Sequence, residues 1–213
     1  MVDKPAGPSS FAVIAEIRRQ TGARTGHAGT LDPFATGLLL VLSGKATKLA
    51  SCFVGLDKRY VTDVDLRSTT TTGDPEGETL EQSEPPTREE LGRRLEGLRG
   101  KIELPIPTAS AVKIGGERAY RLARRGIAVE MPLRRSQVYA LDVITYTGQT
   151  VRLGLHVGSG TYVRAIADAL GGHCLTLRRT EVGPFAVDEA DPDRVIPPDD
   201  ALRRIGREPA GLL

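Results

Sequence analysis

The segment Gly26-His27-Ala28-Gly29-Thr30-Leu31-Asp32-Pro33-Phe34-Ala35-Thr36-Gly37 concentrates the residue types a reactive loop needs. Glycines at both ends let main chain approach a ligand closely, and Pro33 stiffens the chain immediately after an acid. A carboxylate held there can serve as nucleophile or base. Read from composition alone, a turn or helix-cap aspartate is the stronger account of Asp32. His27, five residues earlier, invites a general-base role. A second cluster carries charge: Lys113, Arg118, Arg121, Arg124, Arg125, Arg134 and Arg135 stand against only Glu117 and Glu130. Such a run is either a solvated face or a grip on phosphates.

These residues need elements to position them. Ser9 and Ser10 can cap a helix whose apolar residues Phe11, Ile14 and Ile17 return at helical spacing, with Gly22 to end it. Residues 25–30 read as a glycine-rich loop, 37–43 as a buried strand and 45–54 as a helix. A strand over 60–67 places Tyr60, Thr62, Val64 and Leu66 on one face. Residues 69–86 read as a long polar loop, and Thr87 with Glu90 makes a capping box for a helix ending near Gly97. Ser110 to Ile114, the turn Gly115-Gly116 and a short helix through Ala123 carry the basic cluster. Strands over 137–147 and 150–157 form a hairpin about Gly148, Thr161 can cap a helix running to Leu170, and a strand over 175–182 precedes a short helix near Leu202. Strands and helices mix without βαβ regularity, so the expected class is α+β, with a mixed, largely antiparallel central sheet flanked by helices.

At 213 residues one domain is the default. With 39% hydrophobic and 26% charged residues the composition is that of a globular chain, and no apolar run approaches the roughly 20 residues a membrane-spanning helix needs. The opening Met1-Val2-Asp3-Lys4 has no signal-peptide core, so a cytoplasmic location is expected. The two cysteines, Cys52 and Cys174, stand in no paired motif, which suggests neither a disulfide framework nor a cysteine-based zinc site. A net charge of +2 does not announce a nucleic-acid partner; the uneven placement of the basic residues is the more informative feature.

The Asp32 segment closely resembles the catalytic loop of the TruB-type tRNA pseudouridine synthases, in which the aspartate of the Leu-Asp-Pro run is essential. Val2 to Ser10 is similar to that family's opening motif, and Asp57-Lys58-Arg59-Tyr60 to the segment supplying its active-site tyrosine. Ala109-Ser110-Ala111-Val112-Lys113, continuing through Arg118-Ala119-Tyr120 to Arg124-Arg125-Gly126, resembles the family's RNA-gripping insertion, here spanning about 105–135. Gly160-Thr161-Tyr162-Val163-Arg164 and Leu177 to Phe185 resemble two further core motifs. The resemblance implies the pseudouridine synthase fold over 1–213 and isomerisation of uridine 55 in the T loop of tRNA, without cofactor or metal, by a monomer.

By the same resemblance Asp32, Tyr60 and Arg164 are catalytic, Arg164 pairing with Asp32 and Tyr60 moving a proton. His27, Tyr60, Tyr162, Leu177, Asp74 and Lys4 contact substrate, with His27 displacing the target nucleotide rather than acting as base. Lys113, Arg118, Arg121 and Arg125 would hold the backbone of the T stem-loop. Thr71 stands where an acid is common in the family. The chain stops at Leu213, so the small carboxy-terminal RNA-binding (PUA) domain usual in bacterial members is expected to be absent, and at Met1 the strand that commonly leads into Asp-Lys-Pro is expected to be missing. The competing reading, a catalytically silent tRNA-binding or tRNA-folding module, is opposed by the intact Asp32, Tyr60 and Arg164. A carboxylate-dependent hydrolase would need a second acid near Asp32, and none is evident.

Overall fold

The computed structural model describes residues 1–125, 127 and 129–208, apart from the side chains of residues 123 and 124; Gly126 of the basic motif therefore lies outside the described residues. The chain packs as two units, one of residues 1–61 with 177 onward, the other of residues 62–176.

The first unit opens with β1 (Val2–Lys4) and α1 (Ser10–Thr21). Ser9 caps α1 by accepting from the Ala12 amide, and Gly22 ends it in the left-handed region, as the sequence leads one to expect. Its apolar face is narrower than the spacing predicts: Ile14 is buried, whereas Phe11 is 77% exposed. Next come β2 (Thr25–His27), β3 (Thr36–Leu39) and β4 (Val41–Ser43). The expected glycine-rich loop thus begins as a strand, because Thr25 to His27 pairs with Val41 to Ser43. The single strand expected over 37–43 is broken at Leu40, whose carbonyl accepts from Ala28. A 3-10 turn (Gly44–Leu49) leads into α2 (Ala50–Val54) and then β5 (Lys58–Asp65).

In the second unit the expected polar loop over 69–86 contains a small hairpin, β6 (Ser68–Thr70) with β7 (Thr79–Gln82). Its strands are too polar to be recognised by alternation. Helix α3 (Arg88–Gly97) carries the complete Thr87–Glu90 capping box. Strand β8 (Gly100–Pro105) precedes the hairpin β9 (Lys113–Ile114) and β10 (Glu117–Arg118), which turns on Gly115 and Gly116, both at positive φ. Then follow α4 (Ala119–Arg124), β11 (Leu133–Tyr146), β12 (Thr150–Val157), α5 (Val163–Ala169) and β13 (His173–Val182). The chain re-enters the first unit along β13 and adds β14 (Phe185–Ala186) and α6 (Pro198–Arg204).

In the first unit β1 pairs antiparallel with β3, β3 parallel with β13, and β13 antiparallel with β14. The opening strand expected to be missing is present as three residues, with Val2, Asp3 and Lys4 opposite Leu39, Leu38 and Gly37. In the second unit β12, β11 and β8 lie side by side with antiparallel pairings, and β5 and β13 contribute residues to both units. The architecture is the mixed, largely antiparallel sheet with helices that the sequence predicts. Ala28, Leu38, Leu40, Leu42, Phe53, Val182 and Phe185 form the core under the Asp32 loop. In β12 the alternating Val151, Leu153, Leu155 and Val157 are all buried, as the period-2 pattern requires.

Gly37 is fixed by this pairing. It sits at φ 105° opposite Arg179, and a Cβ there would lie 2.2 Å from the Arg179 carbonyl oxygen. Gly92, inside α3, has open space around it. Gly37→Ala is therefore expected to cost at least about 2 kcal/mol through φ strain and backbone collision, while Gly92→Ala gains about 0.5–1 kcal/mol from helix propensity. Urea unfolding of the two variants checks both signs.

Candidate active site

The chain around Asp32 is held from all sides. Ser10, buried in the first turn of α1, accepts from the Leu31 amide at 2.8 Å and donates to the Leu31 carbonyl at 2.9 Å. Asp32 itself opens a turn in which the Ala35 amide donates to its carbonyl. The Pro33 carbonyl accepts from the Gly7 amide and from Lys4 Nζ at 3.2 Å. Lys4 is fully buried and also donates to Pro5 and Pro8, so its geometry braces the opening segment against the residue after Asp32.

Arg179, on β13, completes the frame. It is 1% exposed, and its guanidinium donates to the carbonyls of Leu38 at 2.7 Å, Gly29 at 3.1 Å and Thr30 at 3.3 Å. Its charge also acts on the Tyr60 side chain. Tyr60 is buried, and burial raises its phenol above the ordinary range; the nearby Arg179 opposes this rise and the Asp32 carboxylate adds to it. Asp32 and Tyr60, both singled out from the sequence, are thus electrostatic neighbours.

His27, at the end of β2, is held below the ordinary imidazole range by burial first and by Arg179 second, with a hydrogen bond to the Gly29 main chain pulling the other way. It is neutral at pH 7, and among the described residues its buried Nδ1 has no hydrogen-bond partner. Lys58 beside them is pushed down to about 8, chiefly by burial and then by Arg179, with Asp57 opposing. Its ammonium donates to the carbonyls of Val54 and Leu56. Leu177 begins this unit's stretch of β13 with its side chain buried.

Arg164 lies in the second unit, near the start of α5, and is 3% exposed. It donates to the carbonyls of Thr72 at 2.6 Å and Ala109 at 3.0 Å, and its Nη1 stands 3.5 Å from Asp74 Oδ2. Asp74, also buried, accepts through Oδ1 from the Thr72 hydroxyl and the Glu76 amide. Gly73 lets this turn approach: a Cβ there would lie 3.2 Å from Arg164 Cβ. Arg164 and Asp74 thus form one network, a pairing the spacing does not announce. Tyr162 occupies the position just before α5 and lines a shallow groove with Leu104, Pro105, Arg134 and Ser136. Thr161 does not cap the helix; its hydroxyl donates to the Gly158 carbonyl.

Lys113, Arg118, Arg121 and Arg125 are exposed. Lys113 and Arg118 face each other across the β9–β10 pairing, a like-charge pair that costs stability unless an anion meets it. Arg118 donates to the Ala111 carbonyl, Arg121 lies over the Tyr120 ring, and Arg125 pairs with Glu117 at 2.9 Å. An exposed pair of this kind contributes less than about 1 kcal/mol and can be exchanged. Among the described residues no cluster of three or more His, Cys, Asp or Glu could hold a metal ion, and no helix is long and apolar enough to cross a membrane.

Comparison with known proteins bears on this frame. Residues 17–163 match the TruB family pseudouridylate synthase N-terminal domain. Proteins named tRNA pseudouridine synthase B align over most of the chain: one from Mycobacterium sp. (strain KMS) is 42% identical over 90% of this chain and 69% of its own length, and one from Bordetella avium is 36% identical over 100% and 93%. The chain belongs to the TruB family. TruB-family proteins are isomerases, and the solved structures agree in fold. A chain of a Cbf5-Nop10-Gar1 complex superposes with a TM-score of 0.67 and 30% identity over 88% of this chain, which spans about half (49%) of that protein. One from an H/ACA RNP bound to a substrate RNA containing 2'-deoxyuridine gives 0.64 and 27%.

Within this TruB-family chain, sequence reasoning passed over Ser10 as more than a cap, and Arg179 altogether. A readable signal for Arg179 exists: on a strand, adjacent Arg178 and Arg179 must face opposite sides. Arg178 turns outward to Asp3 at 2.7 Å, which leaves Arg179 inside.

Lys58 yields a pH prediction. Its folded value of about 8 lies below the ordinary 10.5. Between these values the unfolded chain binds more protons than the folded one, so this group makes stability rise with pH across that window. Relative to Lys58→Met, the wild-type chain is expected to gain on the order of 2–3 kcal/mol between about pH 8 and 10.5. Urea titrations at several pH values check this, and parallel curves for the two proteins would exclude it.

Proposed function

We propose that this chain converts uridine to pseudouridine at position 55 in the T loop of tRNA, with Asp32 as the essential carboxylate. The observation that carries the reading is the held Asp32 loop beside Tyr60 in a chain whose relatives are named tRNA pseudouridine synthase B. The reaction conserves every atom: the bond from C1' of the ribose to N1 is exchanged for one to C5, C5 gives up a proton and N1 gains one. It needs a group that assists cleavage of the glycosidic bond and one that handles the C5 proton. Asp32 takes the first role, by adding to the base or sugar or by withdrawing a sugar proton, and Tyr60 the second.

Arg164 is the guanidinium partner of the reacting carboxylate in this scheme, a role that rests on the family motif Gly160 to Arg164. His27, neutral and with an unspent ring nitrogen, suits insertion beside an extruded nucleotide better than proton abstraction. Tyr162, Leu177 and Asp74 serve the substrate, Asp74 by way of its contact with Arg164, and Lys4 supports the loop from behind. The enzyme works in the cytoplasm as a monomer. Lys113, Arg118, Arg121 and Arg125 hold phosphates of the T stem.

Two experiments test the scheme. Asp32→Asn is expected to lower single-turnover pseudouridine formation on transcript tRNA on the order of a thousandfold or more while binding is kept; position-resolved mapping of the product reads the site. Binding by the wild-type chain with no conversion would favour a silent tRNA-binding module instead. Lys113→Glu combined with Arg121→Glu is expected to weaken binding and to reduce the salt slope by about two, one for each phosphate no longer neutralised. An unchanged slope would remove that face from the interface.

A further inference from the structure

We propose that Thr108 is a positioning residue for Arg164: its hydroxyl joins the two main-chain segments whose carbonyls share that guanidinium. The proposal rests on the functional reading above for what Arg164 does in the reaction, and on the second unit alone for how it is held.

The guanidinium spans two pieces of chain. Its Nη1 donates to the Thr72 carbonyl at 2.6 Å and its Nη2 to the Ala109 carbonyl at 3.0 Å. A planar fork held by two acceptors keeps its direction only while those acceptors keep their separation. The Thr108 hydroxyl donates to the Thr71 carbonyl at 2.8 Å, and so ties the residue before one acceptor to the residue before the other. Among the described residues no other hydrogen bond runs directly between residues 70–77 and 106–112. The two ends of this bond differ. On the Thr71 side the turn is closed by itself: the Thr71 amide donates to the Glu78 carbonyl at 2.9 Å, its hydroxyl accepts from the Glu78 amide at 3.1 Å, and the Gly73 carbonyl accepts from the Cys174 amide at 3.0 Å. On the Thr108 side the chain enters the basic insertion, where the carbonyls of Ser110 and Val112 accept from the amides of Tyr120 and Ala119 at the start of α4. Ala109 therefore stands between an anchor on the Arg164 turn and a segment that meets RNA in the proposed function. Fold stability does not explain the anchor. Thr108 is half-buried and Thr71 exposed, so water replaces the hydroxyl at the Thr71 carbonyl at little cost. What the hydroxyl adds is a fixed place for the Ala109 carbonyl, and through it for Arg164.

The experiment uses the full chain with Thr108→Val and, separately, Thr108→Ser, labelled at the arginine guanidinium for NMR, with the Arg164 resonances assigned by their loss in Arg164→Lys. The expected result has two parts. The Arg164 Cζ and Nη resonances move in Thr108→Val in the absence of RNA and return to their wild-type positions in Thr108→Ser. Single-turnover pseudouridine formation on transcript tRNA falls about five- to tenfold in Thr108→Val, as far as one neutral hydrogen bond shifts an equilibrium, and recovers to within about twofold in Thr108→Ser, while tRNA affinity stays within about twofold throughout. Unmoved Arg164 resonances, a wild-type rate in Thr108→Val, no recovery with serine, a loss confined to affinity, or failure of Thr108→Val to fold would each overturn the proposal. A wild-type chain that converts no uridine would refute the proposed function; the Arg164 resonances, read on the free protein, would still decide whether Thr108 holds Arg164.

Discussion

A carboxylate can be aimed only if the peptides that carry it cannot turn, and in this chain every main-chain carbonyl from Gly29 to Pro33 has a donor. Arg179 serves Gly29 and Thr30, Ser10 serves Leu31, the Ala35 amide serves Asp32, and Lys4 with the Gly7 amide serves Pro33. Each neutral bond of this kind contributes about 1 kcal/mol, and those from charged donors about 1.5–3 kcal/mol. The sum matters less than the asymmetry: a shielded carbonyl that loses its donor costs more than the bond contributed. The loop is rigid because its alternatives are expensive, and Pro33 removes one more degree of freedom directly after the acid.

Two of these donors, Arg179 and Lys4, are strongly basic. Arg179 lies close enough to His27, Lys58 and Tyr60 to act on the charge of each. The histidine becomes a neutral ring, the lysine holds its proton only weakly near pH 8, and the guanidinium, which cannot lose its proton, remains the fixed charge. Tyr60 stays a protonated phenol because burial outweighs the pull of Arg179.

Much of this could be read from the residues, and the limits are instructive. The Asp32 loop was legible because its chemistry is contiguous: glycines, acid and proline fall within twelve residues. Helix α1, the Thr87 capping box and the alternating β12 were legible because each rests on local signals. What was missed is non-local or ambiguous in pattern. The strand Thr25 to His27 exists only because Val41 to Ser43 pairs with it, and the β6–β7 hairpin is too polar to show alternation. Phe11 has the spacing of a core residue yet finds no core to enter. Arg164 and Asp74 are ninety residues apart in the chain, and only the close turn at Gly73 brings them together. Arg179 reads as one of two surface arginines until its partner Arg178 is seen to face Asp3.

The two buried arginines show how the same side chain can carry different burdens. Arg164 and Arg179 each donate to main-chain carbonyls, and each is almost wholly shielded from water. Arg164 has the carboxylate of Asp74 within 3.5 Å, so part of its charge is answered inside its own unit. Among the described residues no carboxylate makes a salt bridge with Arg179, which is held by carbonyl dipoles. A carbonyl dipole is aligned only while its peptide keeps its orientation, so the solvation of Arg179 and the shape of the loop are one and the same equilibrium: the cation is tolerated because the loop is folded around it, and the loop keeps its fold because the cation is there. Glycine at positions 29 and 37 is the sequence's concession to that arrangement, since only at those points must the backbone take up positive φ to bring its carbonyls and its neighbours within reach.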